Sequence, residues 1–222
     1  MAASELEILQ RAEATDSVAQ ALAATWVWDE LSVAALTAKI SAARAAQSDE
    51  AEAKAAYDEQ RGVVDTRFSD LEARKVQGAG MARSRFRHDA AQLAMIEGVG
   101  EHGDGREAIL KESEEWAAAW RRIDPTWNPT ARNTLVAFEA LLADCQAQLS
   151  SMTEVRADFR KAGTHYNGLL SEIQDLSVAW YAAATRVFPD GTSEGALIRG
   201  QIPTFGGSNA GSNGPPPPTP VP

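Results

Sequence analysis

The chain has 222 residues and a formal net charge of −10, with 44% hydrophobic and 23% charged residues. That composition is ordinary for a soluble globular protein and excludes wholesale disorder. One cysteine excludes an intrachain disulfide framework, three histidines exclude a zinc ribbon or finger, and the excess of acid disfavours nucleic acid as a partner.

The N-terminus carries Glu5, Glu7, Glu13 and Asp16 and lacks a basic patch followed by an apolar run, so it does not read as a secretory signal. No stretch approaches the roughly 20 apolar residues of a membrane helix. A cytoplasmic address is the default expectation.

Proline is absent up to Asp124, and alanine is abundant. The first 124 residues can therefore be almost entirely helical. Val33, Leu36 and Ile40 start one helix, and Val64, Phe68 and Leu71 lie on another. The polar stretch Gln47–Glu50 reads as a break between them, with Asp49 and Glu52 at capping-box spacing. A further helix is expected after Asp104, paired with Glu107, carrying Ile109, Leu110, Trp116, Trp120 and Ile123. Asp124-Pro125 ends it.

Beyond Pro129, two apolar series alternate three- and four-residue steps: Leu135 to Leu149, and Val155 to Val187. Such spacing marks a bundle or coiled-coil seam. The step between the series is out of phase, across Ser150 to Thr153. The reading favoured is a turn there with Thr153 as cap. The alternatives are a turn at Gly163, or one long helix with a stammer.

Self-similarity recurs at a lag of 101 residues. Ile8-Leu9 matches Ile109-Leu110, Thr25-Trp26 matches Thr126-Trp127, and Gly62 matches Gly163. Ser84-Arg85 is echoed by Thr185-Arg186, and Asp89 by Asp190. Ser32 and Leu36 match Thr134 and Phe138 at a lag of 102. The pattern predicts an internal duplication of a helix–loop–helix–helix unit. The expected fold is all-α: an antiparallel bundle of about six helical segments, with units 1–100 and 101–188 packed together. Residues 189–222 are expected to form a strap and a disordered tail. The end of that tail is rich first in Gly, Ser and Asn, then in Pro.

Leu197, Ile198, Ile202 and Phe205 are large apolar residues in this otherwise bare region. They read either as a strap packed on the bundle or as an extended docking peptide for a partner. Trp26, Trp28, Trp116, Trp120, Trp127 and Trp180 are candidates to line an apolar ligand pocket, against the plainer reading of plugs at helix ends. Gly98 to Gly103 fits G-x-G-x-x-G as a string but follows a helix, so it reads as a loop. Glu97, Glu101, His102 and Asp104 could clamp a metal only loosely on that loop. The basic island Arg74, Lys75, Arg83, Arg85, Arg87 and His88 reads as a solvated face or a set of partners for acidic helices of the same chain. Cys145 reads as a small buried hydrophobe.

No catalytic residue, cofactor or metal site is assigned. The function expected is a non-enzymatic structural or protein-interaction module, with the tail as tether or docking segment, and self-association as a further possibility. The rival is a small-molecule-binding bundle using the tryptophans. An enzyme with an unfamiliar site near Glu101 and His102 ranks below both.

Overall fold

In the computed structural model, residues 4–29 and 32–203 are described. They form six helices in chain order: α1 (Glu5–Leu22), α2 (Val33–Arg85), α3 (Ala90–Glu97), α4 (Arg106–Ile123), α5 (Leu135–Val187) and α6 (Ser193–Gln201). The fold is all-α, as the proline distribution requires. No described helix is long and apolar enough to cross a membrane.

Local chemistry sets most helix starts. Ser4 and Glu7 form a reciprocal capping box at α1. Ser32 Oγ accepts from the backbone N–H of Ala35 at 3.2 Å, and Thr134 Oγ1 accepts from Ala137 at 3.1 Å, at the starts of the two long helices. Asp89 caps α3, and Thr192 caps α6. The helix after Asp104 is capped differently from expectation. Gly105 is its N-cap, so Asp104 makes no cap there.

Neither expected turn in the long helices exists. α2 runs unbroken through Gln47–Glu50 and Gly62, and α5 runs unbroken through Ser150–Thr153 and Gly163. The hydroxyls of Ser150 and Thr153 donate back to the carbonyls four residues earlier, at 3.1 Å each, so polar side chains are absorbed by the helix itself. With no proline present, nothing forces a break.

The chain divides into two compact units that cut across the expected division at residue 100. Unit 1 comprises Met1–Glu50 with Ala162–Pro222, and unit 2 is Ala51–Lys161. Each long helix therefore contributes one stretch to each unit. In unit 1 α1 packs against α6. One part of its core gathers Leu9, Leu36, Ile40 and Tyr166 with Ile173, and another gathers Val18, Leu22, Trp180, Ile198 and Ile202. In unit 2 α3 packs against α4. Its core gathers Val64, Phe68, Leu71, Trp116, Trp120 and Phe138 with their neighbours. Within unit 2, Tyr57 stacks on Phe159, Gln60 bonds Gln148, and Arg67 pairs with Asp144. Ascending numbers on α2 meet descending numbers on α5, so these stretches are antiparallel.

Residues 189–203 are largely helical, with Ile198 and Ile202 packed into the core of unit 1. They turn at Gly191, whose φ of +92° suits a glycine, and then form α6. Residues 204–222, including Phe205, lie outside the described part of the chain.

Candidate functional site

The densest set of polar side chains lies in unit 2, where α4 faces the glycine-rich loop between α3 and α4. Glu112 and Glu115 stand three residues apart on α4 and so project from one face. Glu112 Oε1 accepts from the backbone N–H of His102 at 2.7 Å, while its other oxygen pairs with Lys75 of α2. Glu115 Oε2 accepts from the backbone N–H of Gly100 at 3.0 Å, and its Oε1 meets the His102 Nε2 at 2.9 Å. Two carboxylates of one helix face thus hold the loop at Gly100 and His102. The loop passes close to its own side chain at Gly100, where a Cβ would stand 3.1 Å from the His102 ring.

The electrostatics follow from those bonds. The His102 N–H, then Lys75, hold the Glu112 carboxyl below the ordinary glutamate value. The His102 ring, then the Gly100 N–H, do the same for Glu115. The Lys75–Glu112 pair is nearly enclosed, with side-chain exposures of 13% and 12%.

Two cavities adjoin this network. One of about 250 Å³ is lined by Lys75, Val76, Arg83, Val99, Glu112 and Trp116, among others. A larger, more open one of about 620 Å³ includes Met95, His102, Glu115 and Arg122 in its lining. The first joins an aromatic floor to charges of both signs.

The metal clamp imagined for Glu97, Glu101, His102 and Asp104 does not assemble. His102 turns to Glu115, and among the described residues no group of three or more His, Cys, Asp and Glu side chains is placed to hold a metal ion. The sequence pointed to the loop's own side chains, whereas the groups that matter come from α4. Only the chain reversal at Gly103, with φ of +101°, brings them together.

The six tryptophans do not form one cluster. Trp26, Trp28 and Trp180 belong to unit 1. Trp116, Trp120 and Trp127 belong to unit 2. The space lined by Trp26, Trp28 and Trp180 holds only about 10 Å³. In unit 2, Trp120 and Trp116 are buried, and Trp120 lies tilted against both Trp116 and Trp127, with ring centroids 5.6 Å apart in each pair. A shared six-tryptophan pocket is therefore replaced by two packed cores. Trp116 borders the cavity of about 250 Å³.

Of the four apolar residues after Phe188, Ile198 and Ile202 are buried in unit 1 and Leu197 is half-buried against the same core. Helical packing, not an extended docking strand, describes Leu197, Ile198 and Ile202. Phe205 is outside the described residues.

The basic island is partly neutralised within the chain. Arg74 pairs with Asp70 and donates to the Arg132 carbonyl, and Lys75 pairs with Glu112. Arg85 lies over Phe86, and Arg87 Nε donates to His88. Cys145 is fully buried, and that burial pushes its thiol up to about 11.

No family model matches the chain, and no curated protein or solved structure matches it.

Proposed function

We propose that this chain is a non-enzymatic helical interaction module, with residues 204–222 serving as its tether or docking segment for a protein partner. The observation that carries this reading is the engagement of its chemistry-bearing side chains. Glu112, Glu115, His102 and Lys75 all hold backbone or one another, so none is poised as a free acid, base or nucleophile. The burial of Ile198 and Ile202 supports a second element of the reading. It makes α6 a fixed anchor from which the Gly/Ser/Asn- and Pro-rich sequence leads on. A cytoplasmic setting accords with the acidic, single-cysteine composition.

The test compares the full chain with a version stopped at Pro203. A stop at Phe188 would confound it by removing α6 from the core. The shortened chain is expected to keep its helical signal and melting temperature and to lose its protein partners from native lysate. Unchanged specific partners would end the tether role. A catalytic activity abolished by H102A or E115Q would end the non-enzymatic reading.

The second reading, small-molecule binding, is favoured by one observation: the cavity floored by Trp116 and edged by Arg83 and Lys75. It predicts saturable quenching of tryptophan fluorescence by a small apolar carboxylate, lost in R83A.

A further inference from the structure

The two halves of the chain are built to one plan. α1, α2 and α3 have 18, 53 and 8 residues, and α4, α5 and α6 have 18, 53 and 9. Burial repeats with the elements. Counting 102 residues on, buried Leu36 corresponds to buried Phe138, Phe68 to Leu170, Leu71 to Ile173, and Ile96 of α3 to Ile198 of α6. The caps Ser32 and Thr134 correspond in the same register. Gly62 and Gly163, matched in the sequence at 101, fall one position out of this register.

Each compact unit takes residues from both halves. Unit 2 joins the later stretch of α2 and α3 to α4 and the earlier stretch of α5. Unit 1 joins α1 and the earlier stretch of α2 to the later stretch of α5 and α6. Neither half completes a unit alone, so the apolar stripe of each is an interface for the other.

One pair of positions gives that interface its specificity. In unit 2 the Trp116 indole lies on Gly78, where an added Cβ would stand 3.2 Å from the ring. α1 and α4 correspond at a lag of 101 and α2 and α5 at 102, so the matching positions in unit 1 are Thr15 and Trp180, both buried, with the large residue on the opposite element. Two first halves together would set Thr15 against Gly78 and leave a void. Two second halves would set Trp116 against Trp180 and overfill the space. The complementary half is the partner each stripe fits.

We infer that the stripe accepts its complementary half from a second copy of this chain as well as from its own, so that two chains exchange halves into a dimer. The eight-residue Gly98–Gly105 segment is the only covalent link that favours pairing within one chain, through effective concentration. This goes beyond the proposed function, because it uses faces buried inside the fold rather than the tail.

The test has two arms. The wild-type chain is unfolded and refolded over a range of protein concentrations, and its mass is read by light scattering. A species of twice the mass and unchanged helicity per residue is expected to grow with concentration. In the second arm a protease site placed between Gly103 and Asp104 is cut in the folded chain. The pieces are expected to elute together at the mass of the uncut chain. After unfolding and refolding with untagged cut chain, a tag on the first half should recover the untagged second half in proportion to mixing. A monomer at every concentration, or cut pieces that elute apart in native buffer, overturns the inference.

Discussion

The indole N–H of Trp120 donates to the backbone carbonyl of Trp127 at 3.1 Å, inside the core of unit 2. One side chain of α4 thereby fixes the loop that leads into α5. Asp124, the cap of α4, holds the same stretch, accepting from the backbone N–H groups of Thr126 and Trp127. W120F keeps an aromatic ring but removes the donor. It is expected to destabilise the protein by about 1–3 kcal/mol, the usual cost of a buried carbonyl left unpaired. Urea titration followed by circular dichroism reads it. A change below a few tenths would show that water replaces the donor.

Gly78 and Gly80 lie in the same helix and should respond oppositely to alanine. At Gly78 the new methyl meets the Trp116 ring, whereas at Gly80 it meets nothing within 4 Å. G78A is expected to cost about 1–3 kcal/mol through overpacking. G80A is expected to gain about 0.5–1 kcal/mol from helix propensity. Thermal melts of the two variants side by side make each the control of the other.

Stability should fall in acid through the loop network. Glu112 and Glu115 both have folded-state values lowered from the ordinary 4.5. A depressed carboxyl stabilises the fold fully above the unfolded value, and that contribution is lost as pH falls below it and through the folded value. Amide exchange at Gly100 and His102 is therefore expected to accelerate, relative to other loops and after correction for intrinsic rates, as pH drops below about 4.5. E115Q should flatten this dependence at Gly100. An unaltered profile in that variant would detach Glu115 from the effect.

Cys145 should be inert in the native state. Its burial and its raised thiol value, about 11, leave almost no accessible thiolate at pH 8. A thiol-reactive dye is expected to label it only after denaturant is added, at a rate that tracks global unfolding. Prompt labelling of the native protein would mean that the core of unit 2 opens locally.

The all-α architecture was legible because proline is missing from the first 124 residues and apolar spacing is helical from Leu135 onward. The hardest places to read were Gln47–Glu50, Ser150–Thr153 and Gly163. Gln47–Glu50 lacks an apolar face, Ser150–Thr153 has only Met152, and sequence alone cannot separate such a turn of helix from a break. At these positions the helices are fixed by packing on either side: Ala43, Ala46 and Val64 are buried on α2, as are Met152 and Tyr166 on α5. The loop from Gly98 to Gly105 was recognisable from its glycines. Its carboxylate partners were not, because Glu112 and Glu115 look like ordinary surface acids until α4 is folded back along the loop. The tryptophans were conspicuous by type, but which core each enters depends on the path of two 53-residue helices.

The order in which residues enter the two units bears on synthesis. Unit 2 is a continuous stretch, residues 51–161, and can close once its last residue has left the ribosome. Unit 1 needs both Leu9 and Ile198 among its buried residues. α1 must therefore wait for α6. Until then α1 carries Val18 and Leu22 without their cover from Ile198 and Ile202, and that face is open to chaperones.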